Sequence, residues 1–156
     1  MSATPEAIWS NARVLSVQAN SDTDVPIAGI REVTITPADE IQELYTMDSN
    51  FRENVKRYEH NVNVEITYAK FSLDLVQEWL GGEGSTGTAS QDSSDPALFA
   101  IEDVTPSGDG GFERTTAVTD VVIPEFPVVD GSYGEFEEYG ITGTGRTVDV
   151  TDSSGT

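Results

Sequence analysis

Residues 62–80, VNVEITYAKFSLDLVQEWL, decide the fold. In the first part of this stretch apolar side chains alternate with the polar side chains of Asn63, Glu65 and Thr67. Successive side chains of a strand point to opposite faces, so the alternation predicts a strand with one buried face and one exposed face.

After Phe71 the apolar residues no longer recur at every second position but at intervals of three or four, which places them on one face of a helix. These residues are Leu73, Val76, Trp79 and Leu80. Ser72 precedes this run and is predicted to cap the helix, while Gly81 and Gly82 follow it and predict its end. The stretch is therefore predicted to be a long strand that leads into a short amphipathic helix.

Similar patterns of alternation predict the other strands, at residues 12–19, 30–36, 98–104, 112–123, 133–141 and 146–150. Residues 105–111 predict a hairpin turn, and Gly143-Thr144-Gly145 a second turn. Residues 36–45 fit either one or two helical turns or an irregular strand. The predicted fold class is mainly β, an antiparallel β-sandwich or small barrel with one short α-helix.

The length of 156 residues suits one domain, which we place at residues 12–150. Residues 1–11 are predicted to be a flexible N-terminal arm, and residues 151–156 a frayed tail. The polar segment 83–96 is predicted to be a flexible loop, because its apolar side chains are too small to order it.

The formal net charge of -20 is the most unusual global property. Such a surface repels nucleic acid and anionic membranes. Abundant acids and scarce lysine are typical of proteins from halophiles, since in molar salt the Debye length falls to roughly 3 Å and self-repulsion is screened. We interpret most of the acidity in this way.

The sequence offers little for catalysis, and we expect no enzyme, no cofactor and no metal site. The chain has no cysteine, and His60 is its single imidazole. The letters of residues 82–87, GEGSTG, match a dinucleotide-binding pattern, but they follow a helix instead of opening one. A pair of glycosidase carboxylates stays open, because such groups come together only in the fold. No apolar run is long enough to span a membrane.

Residues 48–59 contain the one locally basic patch, with Arg52, Lys56 and Arg57. These bases can pair with carboxylates of a neighbouring copy or with carboxylates of the same chain, and the sequence favours neither. Trp9 in the N-terminal arm is a further candidate for a contact between copies.

Three segments together resemble the tail tube proteins of tailed viruses that infect haloarchaea. They are GIREVTI at residues 29–35, ELYTMDSNFRENVKRYEHNVNVEITYAKF at residues 43–71 and GEFEEYGITGTGRTVDV at residues 134–150. The resemblance lies in the order of strands, the strand-to-helix junction, the loop after the helix and the closing GITGTGR segment.

The resemblance implies a subunit of six-membered rings that stack head-to-tail into a hollow tube, the conduit for viral DNA during ejection. It implies a location in the virion tail after assembly in the host cytoplasm, in high salt, with no membrane. The implied partners are other copies of the chain and the tape measure, terminator and baseplate proteins, while DNA passes without specific binding.

Two sets of site residues follow from the resemblance. Candidates to line the bore, or equally an outer wetted surface, are Asn63, Glu65, Thr67, Thr116 and Asp120. Candidates for contacts between subunits are Trp9, Arg52, Lys56, Arg57, Ser85, Thr86 and Ser90.

Three other functions fit the composition. A head decoration or head-to-tail completion protein has a similar small β fold, and the inner tube of an injection system differs only in its cargo. A secreted acidic β-module that binds calcium or carbohydrate would also account for the carboxylates and the Gly/Thr-rich loops.

Overall fold

The computed structural model describes residues 14–18, 24–48, 50–81, 87–88, 97–106 and 112–154. In these residues eight strands form two antiparallel sheets, and one helix packs beside them. The elements are β1 (Val14–Gln18), β2 (Val25–Ile27), β3 (Ile30–Leu44), β4 (Asn54–Tyr68), α1 (Leu73–Leu80), β5 (Phe99–Pro106), β6 (Phe112–Val121), β7 (Tyr139–Gly145) and β8 (Thr147–Ser154). One sheet has the order β2-β1-β5-β6-β8 and the other β3-β4-β7. The predicted mainly-β antiparallel sandwich with one short helix is confirmed.

The core lies between the inner faces of the two sheets. The alternating side chains of β4 that were predicted to be buried, from Val62 to Tyr68, are buried there. They belong to one apolar cluster with Leu15 of β1, Phe99 of β5 and Val118 of β6. Burying side chains of this size stabilises the fold by about 1.5–3 kcal/mol each, so the sandwich depends on this alternation.

Helix α1 begins and ends where the sequence predicts. The Ser72 hydroxyl accepts a hydrogen bond from the Leu75 N–H at 3.4 Å, and Gly81 adopts φ 72° and donates its N–H to the Gln77 carbonyl at 3.0 Å. Trp79 fixes the helix to the body, because its indole N–H donates to the Ile123 carbonyl at 2.7 Å.

Strands β3 and β4 are each 15 residues long and continue beyond the rest of their sheet. Strand β7 pairs with β4 only over residues 62–68. Residues 38–44 and 54–61 therefore extend as a two-stranded ribbon, with a bulge between Glu40 and Ile41. The segment that the sequence left undecided is thus strand.

The predicted turn at Gly143-Thr144-Gly145 is wrong, because these residues complete β7 and the chain turns at Arg146 instead. Both glycines face the core at places where β7 lies against the end of β6. A Cβ on Gly145 would lie 2.4 Å from Val118 Cγ1, and one on Gly143 would lie 2.9 Å from Val121 Cγ1. The glycines permit a close approach of the two sheets.

Several predicted boundaries differ from the structure. Residues 133–138 form no strand, and Val25 and Pro26, predicted as loop, belong to β2. Strand β8 extends to Ser154 in register with β6, so the expected frayed tail is wrong over residues 151–154. Residues 1–11, most of the 83–96 loop and residues 155–156 lie outside the described residues.

Burial raises the pKa of the Tyr68 phenol above its ordinary value near 10, and the electrostatic effect of the nearby Tyr139 raises it further. A raised pKa in the folded state means that this contribution to stability is complete below pH about 10 and is lost as the pH rises above it. We expect the free energy of unfolding to fall above pH about 10, and to fall less steeply for Tyr68→Phe. Urea unfolding between pH 8 and 11.5 measures this, with Tyr133→Phe, an exposed tyrosine, as the control. Equal slopes for all three proteins would contradict the prediction.

Candidate assembly interface

The outer face of the β3-β4-β7 sheet is polar throughout, and we call it the polar face. The pairing register aligns its side chains in three rows across the strands: Glu32, Thr67 and Gly140; Thr34, Glu65 and Thr142; Thr36, Asn63 and Thr144. All of these residues are exposed except Thr67, which is half-buried. The bore candidates Asn63, Glu65 and Thr67 therefore lie side by side on one surface.

The polar face carries carboxylates at Glu32 and Glu65 and no lysine or arginine in its three rows. Proteins hold nucleic acid mainly through Lys and Arg contacts to phosphates, which release counterions. A surface of Thr, Asn and Glu has no positive charge to attract phosphates. Its chemistry suits a wall along which a polyanion passes without being retained.

The other two bore candidates do not belong to the polar face. Thr116 is only 8% exposed and faces inward, where it lines a cleft of about 360 Å³ between the sheets together with Asp103 and Arg114. Alternation along β6 turns Thr116 to the same side as the buried Val118, so it lies on the inner face of its sheet and not on an outer surface. Asp120 is exposed at the end of β6, with φ 52°, and accepts a hydrogen bond from Arg146 at 3.5 Å.

Strand β3 is an edge strand along its whole length within the described chain. The orientation of its backbone groups follows from the neighbouring strands. The Thr144 N–H donates to the Val122 carbonyl, and the Thr144 carbonyl accepts from the Val122 N–H, on the side away from β4. Hydrogen-bonded pairs alternate along an antiparallel ladder, so Gly145 bonds to Val62 and Asn63 bonds to Thr36.

The same alternation directs the backbone groups of Val33, Ile35 and Pro37 outward, away from β4. Pro37 has no N–H, and its position on the outer side leaves the internal ladder intact. The outward groups of β3 form a row of donors and acceptors that another strand can pair with. By contrast, part of the β7 edge is already covered. Val122, directly after β6, pairs with Thr144, and the Arg146 N–H donates to the Thr119 carbonyl of β6.

The ribbon of β3 and β4 ends in a hairpin loop that exposes apolar side chains, and we call residues 41–58 the hairpin tip. Met47 is fully exposed and Phe51 is 81% exposed; Ile41, Leu44, Tyr45, Val55 and Tyr58 are also exposed. Several large apolar side chains exposed on one short segment are typical of an interaction site.

The basic patch lies on this hairpin tip, and most of it is paired within the chain. Arg57 binds Asp39 at 2.8 Å and Arg52 binds Glu43 at 3.2 Å, whereas Lys56 makes no ion pair with any described residue. These pairs are solvent-exposed and each contributes about 0–1 kcal/mol. The sequence left open pairing within the chain or between copies, and the single chain shows the former for Arg52 and Arg57.

A second exposed patch precedes β7, and we call residues 128–138 the acidic segment. Tyr133 is fully exposed and Phe136 is 96% exposed, and the acids of this segment are Asp130, Glu135, Glu137 and Glu138, without a base. Arg31 binds Glu138 at 3.0 Å and Tyr139 donates to Glu137, while Asp130 and Glu135 have no ion pair among the described residues.

Four subunit-contact candidates, Trp9, Ser85, Thr86 and Ser90, lie outside the described residues. His60, the single imidazole, is exposed and lies 2.9 Å from Asp39. Within the described ranges no three acidic or histidine side chains are grouped as a metal site. No helix in the same ranges is long and apolar enough to cross a membrane.

No protein-family model matches the chain, and no curated protein matches its sequence. Solved structures do match its fold. A chain of the anti-feeding prophage cap, a tube-terminating cap, is similar with a TM-score of 0.63 at 14% identity, over 98% of this chain and 96% of that chain. The fold is tail-tube-like.

Two further structures support the tail-tube-like fold. A chain of the sheath-tube complex of an extracellular contractile injection system matches with a TM-score of 0.61 at 14% identity, over 95% of this chain and 92% of that chain. A chain of the virion of a gene transfer agent matches with a TM-score of 0.55 at 16% identity, over 88% and 95%. At these identities the comparison establishes the fold and leaves the role of this chain to its own surfaces.

Two parts of this interface were not predicted from the sequence. The first is the open edge of β3 beyond residue 36, for which Pro37 was a signal, because proline inside a sheet is confined to edges and bulges. The second is residues 133–138, which were predicted to be a strand. Gly134, with φ 81°, and a turn bond from the Glu135 N–H to the Ser132 carbonyl make this segment a loop.

Proposed function

We propose that this protein is the tube subunit of a virus tail, forming six-membered rings that stack into a hollow conduit for DNA. The polar face lines the bore, and the open edge of β3 pairs with a neighbouring copy so that the small sheets join into one continuous wall. The tail-tube-like fold supports this function, and the surfaces described above supply the contacts that it needs.

A single observation carries the proposal: one sheet combines a polar face without bases and an edge strand of 15 residues whose outer side is unpaired among the described residues. Proteins usually protect such edges, because they template pairing with other chains. A closed barrel removes the edges, and in a ring of copies the closure comes from the neighbours.

The proposed setting is a virion assembled at high salt in a haloarchaeal host. Rings of subunits with a formal net charge of -20 repel one another strongly in dilute buffer. On the two-stranded ribbon of β3 and β4, Glu40 lies directly opposite Glu59, and like charges in this position destabilise a strand pair. Molar salt screens both effects, so assembly should require it.

A second candidate function is a tube-terminating cap, because a chain of such a cap has the same fold. The two functions differ in their stoichiometry. A tube subunit polymerises without limit once rings form, while a cap stops after one ring. Negative-stain images of the purified protein in molar salt separate them, since tubes support the first function and single rings the second.

The assignment of the polar face to the bore predicts a size limit for chemical labelling. The chain has no native cysteine, so Thr142→Cys on the polar face introduces a unique thiol. In assembled tubes we expect this thiol to react with a small maleimide but not with a maleimide attached to a large polyethylene glycol. Gel shifts before and after dissociation in dilute buffer measure the reaction.

Glu102→Cys is the matched control, because Glu102 is exposed on the five-stranded sheet. We expect the control thiol to react with both reagents in both states. If the thiol at position 142 in tubes reacted with the large reagent as readily as in free subunits, the polar face would lie outside the bore.

A further inference from the structure

The hairpin tip and the acidic segment lie at opposite ends of the same sheet. Strand β3 begins at Ile30, next to Arg31, whose side chain binds Glu138 of the acidic segment at 3.0 Å. The strand ends at Leu44, which pairs with Asn54 at the hairpin tip. An extended chain rises about 3.3 Å per residue, so the length of β3 separates the two surfaces by roughly 45 Å.

The two surfaces are complementary in apolar chemistry. The hairpin tip presents Met47 and Phe51, and the acidic segment presents Tyr133 and Phe136. Methionine is flexible and makes favourable contacts with aromatic ring edges, while aromatic rings pair with one another at offset or edge-on angles. Contact between the two surfaces would bury exposed apolar side chains of both.

The two surfaces are also complementary in charge. In a chain with net charge -20, two copies repel unless their contact brings a base to an acid. Lys56 on the hairpin tip has no ion pair among the described residues, and neither do Asp130 and Glu135 on the acidic segment. The hairpin tip contains three bases, Arg52, Lys56 and Arg57, and three acids, Glu43, Asp48 and Glu53, so its net charge is zero, whereas the acidic segment has four acids and no base.

We propose that the hairpin tip of one copy docks on the acidic segment of a second copy in the adjacent ring. The proposal rests on the tube function inferred above and names the contact that stacks the rings. The two surfaces differ and lie at opposite ends, so the contact is heterologous: each copy offers both halves, and copies add along one axis. A tip-to-tip dimer would leave the acidic segment uncovered and its repulsion unopposed.

Disulfide trapping between two single-cysteine variants tests this contact directly, since the chain has no cysteine of its own. Met47→Cys and Tyr133→Cys proteins are mixed in molar salt, oxidised mildly and separated on a non-reducing gel. A disulfide needs the two Cα atoms within about 4.4–6.8 Å, so a cross-link reports close docking. The control mixes Met47→Cys with Val150→Cys, because Val150 is also exposed but lies on β8, outside both surfaces.

We expect the 47–133 mixture to give a cross-linked heterodimer and the 47–150 mixture to give none. Lys56→Glu added to the Met47→Cys protein should lower the yield of the cross-link by up to about fivefold, and Glu135→Lys added to the Tyr133→Cys protein should restore it. Rings without a 47–133 cross-link would overturn this contact and leave the ring proposal standing. A cross-link in a protein that never forms rings would support the contact and refute the ring. Cross-linking of Met47→Cys alone would replace the stacked contact by a tip-to-tip dimer.

Discussion

Replacing Ile35 by proline is expected to abolish assembly and to leave the subunit folded. The Ile35 N–H points outward from β3, so proline removes a donor from the open edge without removing a hydrogen bond from the internal ladder. If β3 pairs with a neighbouring copy, the missing donor and the bulk of the proline ring interrupt that pairing at its centre. Sedimentation and negative-stain imaging in molar salt should then show subunits without rings.

Two variants control for this experiment. Ile35→Val keeps the N–H and most of the half-buried side chain, costs about 0.5–1.5 kcal/mol, and should assemble. Thr34→Pro removes an N–H that points toward β4 and is expected to destabilise the subunit by about 3 kcal/mol or more. Thermal unfolding followed by circular dichroism separates the two effects. Normal rings from the Ile35→Pro protein would show that β3 is not the pairing edge.

The second large effect is expected at Gly145, which faces Val118 in the core. A Cβ at this position would lie 2.4 Å from Val118 Cγ1, and Val118 is fully buried. Overpacking a core by a few carbons costs about 1–3 kcal/mol, and occasionally more. Because β7 turns into β8 directly after this residue, we expect Gly145→Val to lose about 3 kcal/mol or more of unfolding free energy.

Gly140 provides a matched control in the same strand. A Cβ there would meet no atom within 4 Å, because the residue lies on the polar face. Gly140→Val should change the unfolding free energy by no more than about 1 kcal/mol, the range of strand propensities. Urea unfolding of both variants measures the difference. Equal losses at the two positions would contradict the close approach of β7 and β6 that the structure shows.

The stretch from Val62 to Leu80 was predictable because two independent signals agree along it. Alternation marks β4, the change of spacing after Phe71 marks α1, and Ser72 and Gly81 supply the hydrogen bonds that cap the helix. The antiparallel hairpin of β5 and β6 followed from the same kind of alternation. Local chemistry was sufficient in these places, since the structure that it favours is also the one that buries the apolar side chains.

The two-stranded ribbon of β3 and β4 could not be predicted from alternation. Residues 38–44 and 54–61 are exposed on nearly every side chain, so there is no contrast between a buried face and an exposed face. The turn assigned to Gly143 and Gly145 failed for a related reason. Glycine marks either a turn or a close approach of two backbones, and only the packing of β7 on β6 decides between them.

The candidate site was predicted in part. The alternation of Asn63, Glu65 and Thr67 was enough to place these residues on one exposed face, and the register adds Thr34, Thr142 and their neighbours. Thr116 was placed on the exposed face because of its polar side chain, but it is two residues from the buried Val118 and therefore lies on the same inner face of β6. The contrast between the hairpin tip and the acidic segment emerges only when the length of β3 is known.

A reconstruction of the assembled protein by cryo-electron microscopy in molar salt tests the central claim most directly. The measured quantity is the distance of the Glu65 and Thr142 side chains from the axis of the ring. We predict rings whose bore is lined by these residues and whose wall is continuous across the outward edge of β3. A protein that stays monomeric at every salt concentration, or a ring with these side chains on its outer surface, would contradict the account.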